Sequence, residues 1–153
     1  MEQQGIYIRS KRSFTLSITI LTTVLLVMWI PVTVDKLTSF DSFKAGMLKQ
    51  PLPVSLTTFL AYTIPVLELF TVLLLVFKKY RRWGFYFSLG LLALFTGYVG
   101  LALLGVWAKM PCGCGSVISG MSWPAHLLFN TSFLILNAYG IYLLNKKRGA
   151  CHQ

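Results

Sequence analysis

Four long apolar stretches, Phe14–Val34, Val54–Phe77, Gly84–Trp107 and Trp123–Leu144, leave little else in this sequence to fold. Each runs 21 to 24 residues, and a helix needs about 20 apolar residues to cross a hydrocarbon core of about 30 Å. The first three hold one ionisable side chain between them, Glu68, and the fourth holds only His126. Composition agrees: 56% of residues are hydrophobic and 12% charged, where a water-soluble domain carries about 25% charged residues. That excludes an ordinary cytosolic domain, which would lack the polar surface to cover its apolar side chains, and a disordered chain, which needs the opposite balance. The first stretch is too long for the apolar region of a signal peptide and no small-residue cleavage site follows it, so it reads as an uncleaved helix. With no internal repeats, low-complexity segments or second domain, residues 1–153 are expected to form one integral membrane domain. It is all-α, a four-helix transmembrane bundle in up-and-down order.

The net charge of +10 first suggests nucleic acid, but its distribution along the chain says otherwise. Arg9, Lys11 and Arg12 precede the first span. Lys78, Lys79, Arg81 and Arg82 join the second and third, and Lys146, Lys147 and Arg148 follow the fourth. The other side has only Lys36, Lys44, Lys49 and Lys109. Ten basic residues against four place both termini in the cytoplasm by the positive-inside rule. The expected setting is a bacterial inner membrane, with the lipid bilayer as partner and no nucleic acid.

Two segments then face outward, Asp35–Pro53 and Ala108–Ser122. In the first, Leu37, Phe40, Phe43, Met47 and Leu48 follow helical spacing after Ser39, a candidate N-cap, which predicts a short helix in the membrane interface. In the second, Ser122 is positioned to cap span four, with Pro124 in its first turn. Gly90, Ala93, Gly97 and Gly100 share one face of span three, and Thr15, Thr19 and Thr22 repeat the idea in span one. Such small residues are read as helix-packing stripes. Pro65 is expected to kink or loosen span two.

The outward segment before span four contains Pro111-Cys112-Gly113-Cys114-Gly115. Glycine permits the unusual backbone angles that a ring closed between Cys112 and Cys114 requires. A strained, exposed disulfide of that kind tends to be oxidising and labile. The topology puts the pair in a compartment where disulfides persist, and leaves Cys151 on the other side of the membrane. Two other readings compete. The pair is half of a metal site, although a closed zinc site wants four ligands and only His126 is near; or it is an inert pin for the loop. No metal site is expected.

In span four, His126, Asn130 and Asn137 fall within about 40° of one another at 100° per residue. Polar groups are costly against lipid, so this stripe should face the bundle interior. It reads either as interhelical hydrogen bonding or, with Trp123, as the lining for a redox cofactor or a proton path. Glu68 and Asn137 are each fourteen residues from the outer end of their spans, and equal depth makes them candidate partners. An intramembrane acid is a functional candidate by default, with simple helix adhesion as the rival reading.

These residues together resemble the MauE family of methylamine-utilisation membrane proteins, within the DoxX-like group. Asp35-Lys36-Leu37 followed by phenylalanines, Pro65-Val66-Leu67-Glu68-Leu69, and Cys112-Gly113-Cys114-Gly115 followed by Trp123 and Asn130 match its pattern in order and spacing, from about Ser13 to Leu144. One departure is Phe129, where the family often has an arginine before the asparagine. The resemblance implies a four-helix inner-membrane protein linked to periplasmic disulfide or redox maturation, and in the name-giving family to methylamine metabolism.

The resulting expectation is a membrane thiol–disulfide redox protein, a thiol–disulfide oxidoreductase if Cys112 and Cys114 cycle. They would exchange electrons with a periplasmic thioredoxin-like or thiol-bearing protein, and a membrane quinone near Trp123, His126 and Asn130 would be the counterpart. The alternatives are a non-catalytic assembly factor that docks partners and, less favoured for so few spans, a small-solute or proton pathway through Glu68 and the span-four stripe.

Overall fold

The computed structural model describes residues 2–106 and 122–150, with side chains from 13 to 106 and from 122 to 146. Within them the chain forms five helices: α1 (Glu2–Thr38), α2 (Phe40–Leu48), α3 (Val54–Val76), α4 (Arg81–Leu103) and α5 (Trp123–Ala150). Four carry apolar segments long enough to cross a membrane, Ser13–Thr38, Val54–Val76, Arg81–Leu103 and Trp123–Lys146. Cys112, Cys114, Lys109 and Cys151 lie outside the described residues, as do the side chains of Arg9, Lys11, Arg12, Lys147 and Arg148.

The long helices form a ring in the order α1, α3, α4, α5, each packed on its two neighbours, while the short α2 lies on α3 and α1. α3 and α5 occupy opposite corners, their backbones apart within the described residues. Contacts pair rising with falling positions across three of the four seams: Lys36 with Glu68, Gly84 with Leu75, and Arg82 with Asn145. The bundle is therefore up-and-down. One end carries α2; the other, which we call the basic end, carries the α3–α4 turn with Lys78, Lys79, Arg81 and Arg82.

The helix surfaces are apolar well beyond the buried stripes. Leu94, Leu128 and Val54 are each about 70% exposed, amid many other outward-facing Leu, Ile, Val and Phe side chains. A water-soluble protein rarely leaves contiguous apolar surface of such extent, and a helix covered with it on its outer face requires lipid as solvent.

Several boundaries differ from the sequence expectation, each for a local reason. α1 continues beyond Val34 through Lys36 to Thr38, so the outward segment begins later than Asp35. α2 forms where expected, with Ser39 at its N-cap but no side-chain cap bond, and Leu37 belongs to α1 instead. Phe43 and Met47 point inward and pack on Ala61. Lys44 Nζ donates to the Tyr62 hydroxyl at 3.0 Å, and that bond raises its pKa above the ordinary lysine value, so α2 keeps this charge at any physiological pH. α4 stops at Leu103 rather than running to Trp107. Gly105 takes φ of +71°, its N–H donates to Ala102 O (3.2 Å) and that of Val106 to Leu101 O (3.3 Å). This is the Schellman pattern, and the glycine accepts the left-handed angle without a Cβ penalty. The His126 N–H donates to Ser122 O at 2.9 Å, which makes Ser122 the N-cap residue of α5 with Pro124 in the first turn. α3 continues as helix through Pro65.

The packing stripes are the largest correction. Gly90, Ala93 and Gly97 are on the outer face of α4, and a Cβ added at Gly90, Gly97 or Gly100 would meet nothing within 4 Å. Of the three threonines in α1 only Thr22 is buried, its hydroxyl donating to Ile18 O at 2.6 Å. Close approach is made by two other glycines. A Cβ at Gly84 would lie 2.8 Å from the Leu75 backbone nitrogen, and one at Gly140 would run into the Phe85 ring. Spacing marks a face of small residues but carries no sign for which way that face turns.

Candidate functional site

The interior divides into a packed half near the basic end and an open half beneath α2. The packed half is built on Leu25, Trp29, Leu75, Phe85 and Leu92, with one buried polar knot. The Trp29 indole N–H donates to Ser88 Oγ at 2.8 Å, crossing the bundle from α1 to α4. With its amide oxygen toward Ser88, Asn137 accepts from the Ser88 hydroxyl (2.7 Å) and the Leu89 N–H (2.9 Å), and its nitrogen donates to the Phe85 carbonyl (3.1 Å). Ser88 then accepts once and donates once, and Asn137 is tied to the α4 backbone, so the whole knot is satisfied.

Above Trp29 the helices part around a cavity of about 310 Å³. Its wall is mostly apolar, with Met28, Phe43, Phe95 and Phe129 among the lining, and it is bordered by Trp123, His126 and Asn130. Those three are the residues singled out on span four, and the fold brings them together on one cavity. Asn137 does not join them: it lies seven residues further along α5 than Asn130, in the knot with Ser88.

At the cavity wall sits an ion pair. Lys36 Nζ, in the last turn of α1, is 2.7 Å from Glu68 Oε1 in the middle of α3, with side-chain exposures of 6% and 0%. The rings of Phe43 and Phe95 lie 5.7 and 6.0 Å from the ammonium, within the range of cation–π attraction. Lys36 borders the cavity directly, while Glu68 stands behind it. The second carboxylate oxygen, Oε2, is buried without a hydrogen-bond partner among the described residues. The far side is closed by Gln50, whose Oε1 accepts from the Tyr98 hydroxyl and whose Nε2 donates to Gly46 O at 3.3 Å. That pins the end of α2 to α4.

The candidate Glu68–Asn137 partnership is therefore replaced. α3 and α5 sit on opposite corners, so Glu68 turns to α1 and Asn137 to α4. Lys36 is the residue that sequence reasoning missed, having been counted as an outward-loop charge. A signal was present: Thr22, Trp29 and Lys36 repeat at seven-residue spacing on the inward face of α1, and extending that stripe past Val34 turns Lys36 into the bundle.

Fold and site together define a four-span helical membrane protein with a small, mostly apolar cavity and a buried ion pair. A family model described as methylamine utilisation protein MauE matches residues 14–143. The chain belongs to the MauE family, and the match takes in all four spans. No curated protein and no solved structure matches it.

Proposed function

We propose that this protein is a MauE-type thiol–disulfide redox protein of the bacterial inner membrane. Its basic end and both termini are cytoplasmic, and its Cys112-Gly113-Cys114 segment is periplasmic. The observation that carries the reading is the cavity. Trp123 and His126 border it from the first turn of α5, and Cys114 precedes Trp123 by nine residues, a span of at most about 30 Å in an extended chain. A dithiol in that segment and a ligand in that cavity are within reach of each other.

In the oxidising direction a thiolate of a periplasmic thiol-bearing or thioredoxin-like partner attacks one sulfur of the Cys112–Cys114 disulfide, giving a mixed disulfide and one free thiolate. The partner's second thiolate resolves it, so the partner leaves oxidised and Cys112 and Cys114 are left as thiols. A membrane quinone bound near Trp123, His126 and Asn130 then takes two electrons and two protons, becoming the quinol as the S–S bond reforms. The reverse flow uses the same steps backwards. This activity would serve maturation of periplasmic enzymes, methylamine metabolism being the process named by the family.

The test is thiol labelling in membranes of a Cys151→Ser background, before and after reduction. Labelling of Cys112 and Cys114 only after reduction is expected. Equal labelling in both states removes the disulfide, and full function in a Cys112→Ser/Cys114→Ser variant would assign the protein a docking role instead.

A further inference from the structure

The buried Lys36–Glu68 pair joins α1 to α3 at the cavity wall, and its position bears on what the cavity holds. Lys36 carries three N–H groups, and its one hydrogen bond among the described residues goes to Glu68 Oε1. The remaining donors are on a side chain that borders the cavity. Glu68 already balances the charge, so the site has no net positive charge to attract an anionic headgroup, and the ammonium repels a cationic one. The remaining Lys36 donors suit a neutral hydrogen-bond acceptor. Leu94, which also lines the cavity, is 71% exposed on the outer face of α4. The cavity rim therefore reaches the surface given to lipid, and a ligand can enter from the bilayer. About 310 Å³ is the low end for a small-molecule site, room for one ring with its tail outside.

We propose that Lys36 is the residue that holds the ligand in this cavity, donating a hydrogen bond to one ring carbonyl of a lipid-borne quinone that enters past Leu94. Glu68 positions the ammonium and balances its charge. The choice of a quinone rests on the redox reading above; the role of Lys36 rests on the cavity. In the reaction two S–H bonds break and an S–S bond forms, two electrons pass to the quinone, and both carbonyls become C–OH groups.

The experiment uses the full chain in lipid nanodiscs and a decyl-substituted benzoquinone as probe. Binding is followed by quenching of tryptophan fluorescence, since Trp29 and Trp123 line the cavity. Lys36→Met alone leaves Glu68 unpaired, so the decisive variant is Lys36→Met/Glu68→Leu, which removes both charges. Wild type and Cys112→Ser/Cys114→Ser should bind with equal affinity, and the paired variant should bind about tenfold more weakly, the loss expected for a hydrogen bond from a charged donor. Infrared difference spectra should show one of the two bound carbonyl stretches shifted to lower frequency in wild type and restored in the paired variant. Equal affinity and an unshifted carbonyl would overturn the assignment of Lys36 while leaving the cysteine chemistry intact. No saturable binding by wild type would overturn both this proposal and the quinone half of the redox reading.

Discussion

The two halves of the bundle are made from similar residue types and reach opposite solutions. Toward the basic end, Gly84 and Gly140 let helices approach until a methyl group would not fit, and every polar atom of the Trp29–Ser88–Asn137 knot has a partner. Under α2 the helices separate, the polar groups are arranged around a cavity, and one carboxylate oxygen remains buried and unpaired among the described residues. In lipid, helix association draws on packing and hydrogen bonding rather than the hydrophobic effect. A half with full packing is therefore one that holds the bundle together, and a half that forgoes it keeps space for something else. The buried Lys36–Glu68 pair reinforces the contrast, because a buried ion pair contributes little net stability over an apolar pair and its retention calls for another use.

The contrast breaks most sharply at that pair. Lys36→Met strands the Glu68 carboxylate and should destabilise the protein by about 3–5 kcal/mol, read as a lowered midpoint for denaturant unfolding in detergent. Lys36→Met/Glu68→Leu should recover most of that loss. If the double variant is as unstable as the single one, the pair is a structural element of the open half and the division is wrong.

A smaller effect is expected at the packed half's closest approach. Gly140→Ala drives a Cβ into the Phe85 ring and should cost about 1–3 kcal/mol through overpacking. Gly97→Ala, on the open outer face of α4, should leave the midpoint unchanged or slightly raised, since alanine is the better helix former. Equal losses at both positions would place the small-residue stripe in a helix contact after all. A smaller loss than at Gly140 is expected for Ser88→Ala, which removes the hub shared by Trp29 and Asn137. About 1 kcal/mol is the scale of such interhelical bonds in membranes, and an accompanying shift in tryptophan emission would report the freed indole of Trp29.

Much of the architecture was legible from residues alone. Four apolar runs at bilayer length gave four helices, and basic residues gathered on alternate connections gave an up-and-down order. Phe40, Phe43 and Met47 gave α2. The grouping of Trp123 and His126 with Asn130 followed from helical angle, because residues on one helix keep their relation wherever the helix packs. Helix ends were less legible. The stop at Leu103 depends on Gly105 adopting a left-handed angle, and the extension to Thr38 depends on Lys36 finding a partner that makes its burial tolerable.

What the sequence by itself determined is which segments cross the membrane and which side chains share a helical face, since both follow from local composition and a fixed rise and twist. Only the tertiary structure decided which faces meet. The choice of corners in the ring separated Glu68 from Asn137, turned the glycine stripe of α4 to lipid, and brought Lys36 in from an assumed loop to the wall of the cavity. Those pairings depend on packing between helices distant in sequence. In a bilayer, where every outer face is apolar, hydrophobicity cannot indicate which face turns inward.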